Sequence, residues 1–131
     1  MITVKPIQSK DDQQHFCELC HIPYRAELLA YGAYDHQGKF AGICQFGMDQ
    51  AGGHIYHLAT PSRDDPDDCL FVMGRAALNF IDLCGVKIAF FDGKCDDSAL
   101  LRRIGFSTDE KGRYTLSLDG FFTHACQHHP Q

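Results

Sequence analysis

Two histidines on one alternating run are the first chemistry that the sequence offers. Gly53 to Ala59 reads G-H-I-Y-H-L-A, placing His54 and His57 three residues apart. An unperturbed imidazole changes charge near pH ~6.5, so either ring could exchange a proton with an amine near neutrality. Side chains of an extended strand alternate, so this odd spacing predicts opposite faces. A few residues on, Asp64, Asp65, Asp67 and Asp68 crowd around Pro66, with Arg63 the one cation beside them. Carboxylates here suit the free N–H groups and positive dipole end of a helix start. Cys17-Glu-Leu-Cys20-His21 has the spacing of a haem attachment. It lies in an amphipathic helical pattern with Cys20 inward, which argues against that role. Cys126, His128 and His129 lack the second ligand pair of a structural zinc site, so no metal is expected. No Gly-x-Ser-x-Gly, Walker A loop or H-E-x-x-H occurs.

The elements that must position these groups follow from periodicity and punctuation. Residues 53–60 form a strand that Pro61 ends. A helix is expected from about Asp67 to Leu83, with Leu70, Phe71, Gly74, Ala77, Leu78 and Ile81 inward and Arg75, Asn79 and Asp82 outward. Gly85 ends it, and Val86 to Phe91 is the next strand. A strand, helix and strand of this length make a parallel, right-handed crossover. Upstream, Ile2 to Ile7 is a strand. Ser9 with Asp12 is a capping-box pattern opening a helix with Phe16, Leu19 and Cys20 on one face, stopped by Pro23. Leu28 to Tyr34 and Lys39 to Phe46 are strands joined by a turn at Asp35 to Gly38, and they make an antiparallel meander with the strand at 53–60. Downstream, Asp96 or Asp97 caps a short helix with Leu100, Leu101 and Ile104 inward, Gly105 closes it, and Tyr114 to Leu118 is the last strand. The tail from His124 is polar and expected to fray.

A length of 131 residues fits one domain, 1–131. No apolar run reaches the ~18 residues of a membrane span, and the first residues lack an apolar signal region. A formal net charge of −5 argues against a nucleic-acid partner. Seven cysteines, odd in number and irregular in spacing, suit free thiols in a reducing cytoplasm better than a disulfide framework.

The run H-I-Y-H-L-A-T-P, a loop, then an R-A-A-L-N-F helix resembles the centre of the GNAT (Gcn5-related) N-acetyltransferases. S-A-L-L-R-R-I-G-F at 98–106 resembles their last helix and its Gly-Phe ending. The order of elements corresponds from about residue 2 to residue 119. The resemblance implies an α/β fold with a mixed sheet of six or seven strands and helices on both faces. It implies acetyl-CoA as acyl donor and a small-molecule or peptide amine as acceptor, and it allows a homodimer. His54 stands where the family often has a glutamate base. The backbone of Leu58, Ala59 and Thr60 would hold the pantetheine arm and polarise the thioester carbonyl. The pyrophosphate would meet Arg63, Cys69 and Leu70 at the following helix.

Two regions depart from the family pattern. The phosphate loop Q/R-x-x-G-x-G/A has Asp64 at its basic position, Asp67 at the first glycine and Cys69 at the second, and no glycine lies between Gly53 and Gly74. Leu101 occupies the place of the tyrosine that often protonates the leaving thiolate, and Lys94 that of a common asparagine. Two readings therefore stand at this point: an acetyltransferase, and a non-catalytic member keeping the fold as a binding or dimerisation module.

Overall fold

The computed structural model describes residues 1–122. The Cys126, His128 and His129 cluster lies outside them. Seven strands form one sheet: β1 Thr3–Pro6, β2 Leu29–Tyr34, β3 Phe40–Asp49, β4 Gly52–Ala59, β5 Ile88–Phe91, β6 Ser107–Thr108 and β7 Tyr114–Ser117. Their order across the sheet is β1-β2-β3-β4-β5-β7-β6. Every neighbouring pair is antiparallel except β4 and β5. The parallel pair is the one expected from the crossover pattern, and the architecture is the mixed α/β sheet the sequence implied.

The connecting helix α2, Cys69–Leu83, covers one face of the sheet with α3, Ser98–Ile104. Met73, Leu78 and Ile81 of α2 are fully buried there, each contributing on the order of 1.5–3 kcal/mol relative to exposure. Gly74 lets α3 pack close: a Cβ there would lie 2.8 Å from Ile104 Cδ1, and the Ile104 side chain would have to shift. α3 is capped as the sequence indicated: the Asp97 side chain accepts from the Leu100 N–H. The start of α2 differs from expectation. Pro66–Asp68 is a separate 3₁₀ turn, and α2 begins at Cys69 because Asp67 and Asp68 hold left-handed φ angles of 53° and 55°.

Helix α1, Lys10–Leu19, covers the opposite face, and the Ser9 hydroxyl caps it from the Asp12 N–H. Its buried stripe is Gln13, Cys17 and Cys20, not the expected Phe16, Leu19 and Cys20. Leu19 is 41 % exposed, and Phe16 stacks on Phe40 with ring centroids 4.0 Å apart. The spacing 13, 17, 20 is a regular helical stripe. A glutamine at its head hides it from a hydrophobicity reading.

Candidate functional site

The site is built where β4 and β5 part. Their ladder covers three pairs, Gly53 with Ala89, His54 with Phe90 and Ile55 with Phe91. One more bond, Asp92 N–H to the Ile55 carbonyl, closes it. Beyond that β4 runs on to Ala59 paired only with β3. Gly93 crosses directly over the Tyr56 carbonyl; a Cβ there would sit 2.1 Å from the oxygen, so only glycine fits. A cleft of ≈ 490 Å³ opens at the parting, lined from one side by Tyr56, His57 and Leu58 and from the other by Asp92, Gly93 and Lys94. The turn after α1 closes it with His21, Ile22 and Pro23. This volume lies within the range of small-ligand pockets.

A β-bulge decides which side chains reach the cleft. Phe46 pairs with Ile55 but Gln45 pairs with His57, so Tyr56 is an extra residue on β4. The bulge resets the alternation, and His54, Tyr56 and His57 share the α1 face. The expectation that His54 and His57 point to opposite faces fails for this reason. His54 stacks on Tyr56 at 5.7 Å, and His57 Nδ1 meets Gln45 Nε2 at 2.9 Å.

His54 is the more buried of the two, 5 % exposed, and does not line the cleft. Its ring lies between Tyr56 and Phe90. Nδ1 is 2.5 Å from Asp92 Oδ2, and Nε2 is 2.9 Å from Asp49 Oδ1. Asp92 faces the cleft with a side chain 22 % exposed, whereas Asp49 is 57 % exposed. The bond from His54 is the main reason that the Asp49 carboxyl titrates below its ordinary range. Arg113 holds Asp92 from outside, Nε to Oδ1 at 3.1 Å. The three side chains form one line, Asp92–His54–Asp49, from the cleft to the outer surface. His54 thus reaches the cleft only through Asp92.

His57 lines the cleft directly and belongs to a buried polar chain that hydropathy does not reveal. Gln13 and Gln45 are both fully buried. Gln13 Nε2 donates to Gln45 Oε1 at 2.9 Å, and Gln45 Nε2 donates to the Pro23 carbonyl at 2.8 Å. Burial is the larger cause, and the nearby Arg25 charge the smaller, that holds the His57 imidazole below its usual value. Arg25 also lies over the Tyr56 ring, 4.5 Å from its centroid.

The residues expected at the donor site fall into two groups. Leu58 and Ala59 lie on the open stretch of β4. The Thr60 hydroxyl donates to the Ser62 carbonyl and, at 2.9 Å, to that of Asp64, folding the loop back on itself. Arg63 is exposed. The Cys69 side chain is fully buried, and its thiol is pushed up to about 12, chiefly by burial. The Cys69 N–H is bonded to the Pro66 carbonyl, and the Leu70 N–H to Asp65 Oδ1 at 2.9 Å. Leu101 is fully buried core. Cys17 and Cys20, of the haem-like motif, are free thiols packed inward between α1 and the sheet.

No family model and no curated protein matches the sequence. Solved structures do match. The ribosomal-protein-S18-alanine N-acetyltransferase from Escherichia coli aligns with a TM-score of 0.67 at 13 % identity, over 90 % of this chain and 94 % of that one. The spermidine/spermine N-acetyltransferase SpeG from Vibrio cholerae aligns with a TM-score of 0.73 at 9 % identity, over 95 % and 99 %. The PaiA N-acetyltransferase from Thermoplasma acidophilum, solved in complex with coenzyme A, aligns with a TM-score of 0.67 at 11 % identity, over 89 % and 99 %. The fold is therefore that of the GNAT acetyltransferases.

Coenzyme A fits this chain unevenly. The open edge of β4 offers a thioester arm an unpaired strand to lie against. The pyrophosphate end does not fit. Two first-turn N–H groups of α2 are already bonded within the loop, and four carboxylates surround them. Among the described residues no helix is long and apolar enough to cross a membrane, and no group of His, Cys, Asp and Glu is placed to hold a metal.

Proposed function

We propose that this protein is an acyl-CoA-dependent N-acetyltransferase acting on a small-molecule or peptide amine in a reducing, cytoplasmic compartment. The observation that carries this reading is the parting of β4 and β5, with a cleft of ≈ 490 Å³ at the point where they separate. The thioester supplies the electrophilic acyl carbon. The backbone of β4 from Leu58 to Thr60 holds its arm. Asp92 presents a carboxylate to the incoming ammonium. The ammonium gives its proton to the Asp92 carboxylate, and the Asp92–His54–Asp49 contacts of 2.5 and 2.9 Å carry one proton out to water. In this proposal His54 acts as the base through Asp92, which supports the reading by its contact with His54 Nδ1. The amine nitrogen bonds to the acyl carbon, the carbon–sulfur bond breaks, and the thiolate takes a proton from water. One N–H is exchanged for one S–H.

The second reading, a binding or dimerisation module, is favoured by the self-bonded acidic loop. Titration with acetyl-CoA and with CoA, followed by thiol release with spermidine, lysine and peptide amines, separates the two. The acetyltransferase reading expects saturable binding, turnover, and a ~10²–10⁴-fold loss in His54→Gln at neutral pH. That loss should shrink at high pH, where the amine is already free. No binding of either ligand by the folded protein would sink the acetyltransferase reading and leave the module as the better one.

A further inference from the structure

The buried chain that ends at His57 fixes more than a position, because each link has a defined polarity. A backbone carbonyl only accepts and a backbone N–H only donates. Gln45 Nε2 lies 2.8 Å from the Pro23 carbonyl, and Gln45 Oε1 accepts the Arg25 N–H at 3.2 Å. Both contacts set the amide the same way round. Lys10 repeats the instruction one residue back: its ammonium, which only donates, is 3.0 Å from Gln13 Oε1, so Gln13 Nε2 must donate to Gln45 Oε1. The Gln45 amide therefore turns an N–H toward His57 Nδ1 at 2.9 Å, and Nδ1 must accept it with its lone pair. In a neutral ring the one proton then sits on Nε2. That nitrogen has no bonded partner among the described residues, yet no buried polar side-chain atom there is left unsatisfied, so Nε2 reaches water. His57 lines the cleft, so the cleft is where Nε2 opens.

We propose that His57 is a neutral, tautomer-fixed hydrogen-bond donor whose Nε2–H faces the cleft and binds the oxygen of the acyl group as that oxygen gains charge. This rests on the acyl-transfer reading above. The donor gives no proton away; it polarises, so it complements the proton path through Asp92 and His54 rather than competing with it. A protonated ring would set its Nδ1–H against the Gln45 N–H, and burial beside Arg25 disfavours the cation in the same direction. A pre-set donor needs no reorganisation when charge develops, which is the condition under which such donors act most strongly. The role would stand in for polarisation by strand backbone alone, in a chain whose tyrosine position is the buried Leu101.

Two measurements on the full chain test it. In the first, histidine ¹⁵N shifts are recorded at pH 7 without ligand, with His57 identified by its absence from the His57→Gln spectrum. A protonated Nε2 with an unprotonated Nδ1 is expected; an Nδ1–H ring, or a mixture of tautomers, overturns the proposal without reference to any activity. In the second, acetyl transfer is compared in His57→Phe and His57→Gln. Removing the donor should lower kcat by about 10²–10³-fold, with KM for the amine little changed. The glutamine amide should restore part of the rate. Full activity in His57→Phe overturns the proposal and leaves the acetyltransferase reading intact. A wild-type protein with no transfer from acetyl-CoA to any amine sinks that reading, and with it the acyl-oxygen role, whatever the spectrum shows.

Discussion

Replacing Asp64 by arginine and Asp67 by glycine should turn the α2 entry from a barrier into a binding site for CoA. Both carboxylates are exposed, and the Asp67 side chain is 60 % exposed. A like-charge pair at ~4 Å costs about 1 kcal/mol in water and ~4 at an effective dielectric of 20, and exposure puts these residues near the lower figure. Removing the Asp67 charge recovers about 1 kcal/mol, and reversing Asp64 swings about 2, for a total near 3 kcal/mol. That is on the order of 10²-fold in the dissociation constant. The fold should tolerate both changes. Asp67 holds φ 53°, and glycine relieves a left-handed cost of ~1–2 kcal/mol while adding ~0.5–1 of unfolded-chain entropy. The lost contact with the Met1 ammonium at 2.9 Å is between exposed groups, worth at most ~1 kcal/mol. The melting temperature without ligand should hence move by only a few degrees. The assay is a thermal-shift titration with CoA, since ligand at ~100 times Kd adds about 2.7 kcal/mol. The gain should fade between 0.1 and 1 M salt as screening shortens. Equal CoA responses in parent and variant, or a gain indifferent to salt, would refute the charge argument. The blocked Leu70 N–H would then be the obstacle.

The remaining predictions concern the cleft walls. His57 titrates below its ordinary value in the folded chain, so the unfolded chain binds the proton first. Its contribution to stability is therefore full above pH ~6.5 and is lost as pH falls through the lower folded value. Denaturant titrations should show this acid loss in the parent and a flatter profile in His57→Gln. Gly93→Ala sets a methyl against the Tyr56 carbonyl, which would lie only 2.1 Å away. It should cost about 1–3 kcal/mol in urea unfolding and weaken acyl-donor binding.

The fold was readable because its pattern is local. Alternation marked the strands, the stripe from Leu70 to Ile81 marked α2, and Ser9, Asp97 and Gly85 punctuated the helices through short-range hydrogen bonds and turn geometry. The site was readable only in outline, since its decisive features are not local. One extra residue at Tyr56 moves His57 into the cleft, and nothing in H-I-Y-H marks a bulge, because its partner is the distant Gln45–Phe46 step. By hydropathy Gln13 and Gln45 are surface residue types in a helix and a strand. Their burial becomes affordable only when α1 crosses β3 and each amide finds the other. The place of His54 on β4 suggests a proton-transfer role, yet Asp49 and Asp92, 5 and 38 positions away, determine what it touches. A buried glutamine in a helical stripe headed by Gln13, Cys17 and Cys20 is thus a signal in its own right. Where such a residue costs more to bury than a leucine, its amide polarity is worth following to the surface, and here it leads to His57.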